Sequence, residues 1–204
     1  LVQGIEENDV SSCVKHFALN NQETRRLDVD VDVDERALRE IYLPAFEAAV
    51  KRGKAKGLMG AYNKLRGQHC CHNKYLLQDI LRKEWGFDGV VVSDWGGVHD
   101  TFQAISNGLD MEFGSWTNGL SAGTRNAYDN YYLAHPYLKL IQDGTVGTKE
   151  LDEKVSNILR LIFRTSMNPY KPFGSLASPE HGQAGRKIGE EAVSYTHLRA
   201  HETR

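Results

Sequence analysis

The sequence predicts an α/β fold built from parallel βα units, and three observations carry that prediction. Short apolar, β-branched runs alternate with stretches of helical spacing. The runs are bounded by glycines and polar residues. Three of them, passing through Val14, Ala61 and Val92, end in polar or aromatic residues: Lys15-His16, Tyr62-Asn63 and Ser93-Asp94-Trp95. Barrels and open doubly wound sheets both bind ligands at the C-terminal ends of their strands. Periodicity alone therefore leaves the two architectures open.

The elements follow in order. Cys13-Val14-Lys15-His16-Phe17 is the first strand, ending in polar residues. Residues 28–33 alternate acid and valine, the period of a strand with one wet face. Leu38, Ile41, Tyr42, Ala45, Ala48 and Ala49 keep helical spacing across about residues 34–51, with Pro44 an expected kink. Residues 57–62 form another strand, followed by an open loop to Asn73. Asn73 caps a helix carrying Tyr75, Leu76, Leu77, Ile80 and Leu81, which Gly86 ends. Gly89-Val90-Val91-Val92 is the clearest buried strand. A helix spans about residues 98–107, and Leu151, Val155, Ile158, Leu159 and Ile162 mark a longer one opened by Thr148. Residues 168–180 hold three of the five prolines and read as a linker or domain rim.

Composition narrows the function classes. At about 150 residues per domain, 204 residues make one large domain or one and a fraction. A hydrophobic share of 40% with 25% charged residues is a globular balance. The net charge of −2 offers no basic surface for nucleic acid or an anionic membrane. No run of about 18 apolar residues could span a bilayer. The start, Leu1-Val2-Gln3-Gly4-Ile5-Glu6, lacks methionine and a signal-peptide pattern. It is expected to lie within a gene or after a processing site, and it indicates no compartment.

Cys13, Cys70 and Cys71 are an odd set and read as free thiols. His69-Cys70-Cys71-His72 lacks the spacers that let side chains converge on zinc, and reads as a polar loop. Asp28-Val29-Asp30-Val31-Asp32 opens like a calcium loop, but Val33 stands where glycine is needed and Arg39 where glutamate is needed. Glycine-rich phosphate loops and Gly-x-Ser-x-Gly are absent. No metal or cofactor is expected.

Asp94 is a carboxylate at a strand end beside an indole, an arrangement suited to a sugar, whose apolar ring face packs on the indole. The alternative is a cap for the following helix. Lys15 and His16 donate hydrogen bonds that suit hydroxyl-rich or anionic ligands. Their alternative is a surface lysine and a core-edge histidine. Arg25-Arg26 after Glu23 reads by itself as a solvated ion-pair cluster.

Four segments taken together resemble glycoside hydrolase family 3, the β-glucosidase family. They are Lys15-His16-Phe17-Ala18-Leu19-Asn20-Asn21 running on to Arg25-Arg26, and Arg36-Ala37-Leu38-Arg39-Glu40-Ile41-Tyr42-Leu43-Pro44. Met59-Gly60-Ala61-Tyr62-Asn63 follows, and then Leu76-Leu77-Gln78-Asp79 through Trp85-Gly86-Phe87-Asp88-Gly89 to Ser93-Asp94-Trp95. Order and spacing agree from about Val10 to Val193. The resemblance implies the C-terminal portion of a (β/α)8 TIM-like barrel, incomplete, with the truncated start of a linker to an α/β sandwich domain. It divides the chain into a partial barrel domain at 1–167, a linker or rim at 168–193, and residues 194–204. That last stretch departs from the family pattern, resembles a translated sequencing adapter and is expected to be non-native.

The resemblance further implies a retaining exo-glycosidase acting on an oligosaccharide or β-glucoside, with Asp94 as nucleophile. Lys15, His16 and Arg26 would hold the hydroxyls of the terminal sugar. Tyr62 matches the tyrosine beside the nucleophile, Trp95 an aromatic wall, and Met59 a less direct lining residue. No cofactor is implied. The general acid commonly comes from the second domain or a late loop, and no glutamate here matches it; Glu112 falls where the family has a structural segment. An aspartate that earlier strands usually contribute to the sugar pocket is also absent. Ala18-Leu19-Asn20-Asn21 replaces the Pro-Gly-His-Gly of glucosaminidase-type members, and Trp95 stands where xylosidase-type members often have cysteine. A β-xylosidase or other family member, a fragment that only binds sugar, and an inactive reading frame are the alternatives.

Overall fold

The computed structural model describes residues 1–114, 127–167 and 174–202, the side chains of 127–128 and 194–202 apart. The chain divides into two compact units, Leu1–Asn168 and Pro169–Arg204. The second contains the helix Pro179–Glu202. Pro169 and Pro172 of the expected linker lie outside the described residues. Pro179 instead opens this helix, since a ring-fixed φ and a missing N–H cost nothing in a first turn.

Among the described residues the first unit has six strands: β1 (Cys13–Phe17), β2 (Asp30–Val31), β3 (Gly57–Gly60), β4 (Lys64–Leu65), β5 (Gln68–His69) and β6 (Val90–Val92). β1, β3 and β6 form a parallel sheet in that order, with Val14 opposite Leu58 and Leu58 opposite Val91. Met111 extends the sheet through a parallel bridge to Val92. Spatial order thus equals chain order, each unit added on the same side. Three strands in one-way order fit both a barrel wall and one half of a doubly wound sheet. Among the described residues the sheet does not close on itself.

Helices cover the sheet as the spacing requires. Phe17, Leu58 and Val91 are fully buried against Leu38, Leu76, Leu77, Ile80 and Leu81, all 0% exposed. Each such side chain contributes roughly 1.5–3 kcal/mol by leaving water. The Phe17 ring meets Phe46 edge-on at 5.1 Å. In the helix Tyr75–Glu84, Asn73 Oδ1 accepts the Leu76 N–H at 3.0 Å, as the sequence suggested for a cap. Gly86, at φ 69°, ends it in the left-handed region where a side chain would be strained.

Four sequence expectations need correction. The helix over 34–51 is two pieces, Glu35–Tyr42 and Pro44–Lys51, because Pro44 starts a new helix rather than kinking one. Ile41, expected on the apolar face, is 70% exposed. The strand over 28–33 is paired only at Asp30–Val31, although the valines remain less exposed than the acids. The open loop before Asn73 is a β4–β5 hairpin and a tight turn, Cys70–His72. Arg66 and Gly67, at φ 53° and 81°, supply the two left-handed residues of a two-residue hairpin turn.

Buried polar hubs fix the sheet from beneath. Asp110 accepts hydrogen bonds from the Val91 N–H (2.7 Å), Arg82 (2.6 Å) and Asn157 (2.8 Å), tying β6 to two helices. Glu6, at the end of the helix Val2–Glu6, accepts from the Ser12 N–H and hydroxyl and pairs with Lys56. Lys154 donates to the carbonyls of Ala104, Ile105 and Leu109, closing the C-terminus of the helix Thr101–Ser106. Burial pushes its ammonium down to about 8.

Candidate active site

Three side chains from successive strands converge on one edge of the parallel sheet. His16 belongs to β1, Tyr62 lies two residues beyond β3, and Asp94 two beyond β6. His16 Nε2 is 3.3 Å from Asp94 Oδ2. Burial holds the imidazole below the usual histidine range, and Lys15 and Arg26 add to this against the pull of Asp94. The ring is therefore neutral near pH 7 and can donate one N–H toward the carboxylate.

Asp94 is 8% exposed. Its Oδ1 accepts the Trp95 N–H at 2.8 Å, and its carbonyl accepts the Gly97 N–H at 3.0 Å. The capping alternative fails here: Asp100 caps the helix Thr101–Ser106, accepting the Gln103 N–H at 2.8 Å. The Tyr62 hydroxyl donates to the Trp95 carbonyl at 2.9 Å. Burial, reinforced by the Asp94 carboxylate, pushes its phenol up to about 12, so it remains a donor.

Arg26 joins this group from the loop after β1. Its guanidinium lies 4.9 Å from the centre of the Tyr62 ring, while Nη1 pairs with Glu23 at 2.7 Å. The ion pair is formed, and the guanidinium also lies against the Tyr62 ring. Lys15 is exposed and contributes positive charge beside His16. Met59 stays within the sheet opposite Val92 and is 8% exposed, below the strand ends that carry the other groups.

Trp95 is 58% exposed and stacks on Phe113, centroids 5.2 Å apart at 20°. Ser93 braces the pair, its N–H donating to Met111 and its hydroxyl accepting the Phe113 N–H at 2.8 Å. Phe113 was not anticipated from the sequence. The signal was present: Leu109-Asp110-Met111 reads as a strand, and the residues after it share the edge that carries Asp94. A Cβ on Gly114 would lie 2.2 Å from Trp95 Cδ1, at φ 56°. Gly114→Ala is therefore expected to destabilise the fold by roughly 1–3 kcal/mol. A lowered thermal midpoint with altered tryptophan fluorescence would register it.

The Cys70 and Cys71 thiols donate to different strand-end carbonyls, Ala18 and Ala61, each at 3.4 Å. Burial pushes both up to about 12. Among the described residues, no three His, Cys, Asp or Glu side chains are arranged to hold a metal. Glu112 accepts the backbone N–H groups of Tyr132 (3.1 Å) and Leu133 (2.7 Å), one on each carboxylate oxygen. It clamps that segment of chain.

The parallel sheet thus presents a carboxylate, an imidazole, a phenol and an indole at its C-terminal edge. Residues 1–161 match the glycosyl hydrolase family 3 N terminal domain, and the chain belongs to that family. It is 53% identical over 192 residues to the β-glucosidase BoGH3A of Bacteroides ovatus, covering 94% of this chain and 26% of that protein. It is 38% identical over 165 residues to an exo-α-(1→6)-L-arabinopyranosidase of Bifidobacterium longum, covering 81% of this chain and 20% of that protein. Among solved structures, β-glucosidase 3B of Thermotoga neapolitana in complex with glucose aligns with a TM-score of 0.72 at 38% identity. That alignment covers 83% of this chain and 23% of the other. The chain thus spans about a quarter of the length of these relatives.

Proposed function

We propose that this chain carries the sugar-binding and nucleophilic half of a retaining exo-acting β-glucosidase, within the C-terminal part of a (β/α)8 barrel wall. The observation that carries the reading is the meeting of His16, Tyr62 and Asp94 at the ends of three successive parallel strands. Asp94 attacks the anomeric carbon of a terminal β-glucosyl residue and forms a covalent glycosyl ester. Tyr62 and the Trp95 N–H hold the carboxylate region in place. Lys15, His16 and Arg26 donate to the sugar hydroxyls, and Trp95 walls the pocket. Met59 lines it from beneath. The acid that protonates the leaving oxygen sits about 5–5.5 Å from the nucleophile in retaining enzymes. In this reading a second domain of the same polypeptide supplies it.

The identity to an arabinopyranosidase supports a second reading, in which the same nucleophile serves another pyranose. The test is an enzyme in which this chain replaces the matching quarter of the Bacteroides ovatus protein, assayed on aryl β-glucoside, β-xyloside and α-L-arabinopyranoside. The reading expects the β-glucoside to be turned over fastest; a folded graft that turns over none of the three contradicts it. In that graft, Arg26→Ala is expected to lower kcat/KM on glucosides about 10- to 100-fold, since a charged hydrogen bond is worth about 1.5–3 kcal/mol. Stability should barely move, because the Arg26–Glu23 pair is largely exposed. A large fall in melting temperature with unchanged kinetics would return Arg26 to a purely ion-pair role.

A further inference from the structure

Behind Tyr62 lies a cluster that the proposed chemistry does not use. The His69 ring, at the end of β5, stacks on that of His99 with centroids 3.8 Å apart at 21°. His72 completes the group, its centroid 5.8 Å from His69 and 6.5 Å from His99. The hydrogen bonds define where the protons sit. His69 Nδ1 is 2.9 Å from the Tyr62 carbonyl, which only accepts, so this nitrogen carries a proton. His72 Nε2 accepts the backbone N–H of His99 at 3.2 Å, so its proton is on Nδ1, donated to Gln103 Oε1 at 3.0 Å. The cluster therefore links the strand end bearing Tyr62 to the loop that leaves Asp94 and Trp95. It does so only while His72 is neutral: a proton on Nε2 would point a donor at the donating N–H of His99.

We propose that His69, His72 and His99 are positioning residues that tie the Asp94 loop to the Tyr62 strand end, and that protonation of the cluster in acid releases the tie. The surroundings favour the neutral state. Burial pushes His72, 2% exposed, down to about 4 and holds His69 below its usual range; His99 keeps an exposed edge and is depressed in the same direction by partial desolvation and by the two neighbouring rings. The rings repel one another's charge, and Lys64 from β4 adds positive charge near His69 and His99. Asp28 and Asp30 near His69, and Asp100 near His72, pull the other way without prevailing. The sign follows: histidines depressed in the folded state are protonated first in the unfolded chain. Stability is then complete above the unfolded value of about 6.5 and lost as pH falls toward about 4.

That this matters for catalysis rests on the proposed function; the tie itself does not, and the test separates them. Melting temperatures of the full chain and of the graft are measured from pH 7 to pH 4 for the parent, for His72→Gln and for His99→Phe. Glutamine offers an oxygen to the His99 N–H without titrating, and phenylalanine keeps the stack without charge. The parent is expected to lose about 5–10 °C more than either variant over this range, given about 2–4 °C per kcal/mol. In the graft, the acid limb of kcat/KM should move to lower pH in both variants. If His72→Gln does not fold, His99→Phe carries the comparison, since its backbone N–H is unchanged. Parallel pH slopes in parent and variants overturn the proposal. An altered melting slope in a graft without turnover upholds the tie and contradicts the glucosidase reading.

Discussion

Asp94→Ala in the grafted enzyme should abolish glucoside turnover, with a loss of about 10⁴-fold or more, the scale on which loss of a covalent nucleophile is felt. The structure argues for so large an effect. The carboxylate is nearly buried, one oxygen is held by the Trp95 N–H, and the other faces His16. Among the groups beside Asp94, the Tyr62 phenol and the Cys71 thiol are both pushed up to about 12 and stay protonated. The folded state should survive the change, because the tie between β6 and its helices runs through Asp110. Added azide should enter the vacated space and return part of the rate, giving a glycosyl azide of inverted configuration. Near-parental kcat in the variant would contradict the assignment.

The second large effect concerns the 204 residues expressed alone. They should show no measurable β-glucosidase activity, whereas the graft should be active. The groups gathered at Asp94 are donors and an aromatic wall, and Glu112 is engaged by two backbone N–H groups. General-acid assistance is worth about 10²–10⁴ in rate. The scaffold also carries apolar surface: Val155, Leu159 and Phe163 of the helix Lys149–Arg164 are 45%, 46% and 61% exposed. An assay of the purified chain on an aryl β-glucoside checks this. Hydrolysis that Asp94→Ala removes would mean that the chain holds its own acid.

Much of the architecture could be read from local pattern. The strand cores at Val14, Leu58 and Val91, the Asn73 cap and the role of Gly86 follow from periodicity and turn chemistry, which act within a few residues. The strand-end rule brings Lys15, His16, Tyr62 and Asp94 to one edge on sequence pattern alone, since parallel strands place their C-terminal ends together. What escaped depends on contacts between distant residues. The β4–β5 hairpin draws on Asp30, which accepts the Gly67 N–H at 2.9 Å from 37 residues away. The exposure of Ile41 reflects which faces are covered, and helical spacing alone does not encode that. Phe113 under Trp95, and the histidine cluster behind Tyr62, are assembled by chain segments that meet only once the sheet has formed.

The proposed function stands or falls on Asp94 forming the covalent bond to the sugar. A 2-deoxy-2-fluoro glucoside with a good leaving group slows hydrolysis of the glycosyl-enzyme and lets it accumulate. Treating the graft with this reagent, digesting it and sequencing the labelled peptide by mass spectrometry is the most direct measurement. The expected result is one fluoroglucosyl group on the peptide containing Val92-Ser93-Asp94-Trp95, attached at Asp94 and absent from Asp94→Ala. A label on another carboxylate, or turnover with no label at Asp94, would contradict it.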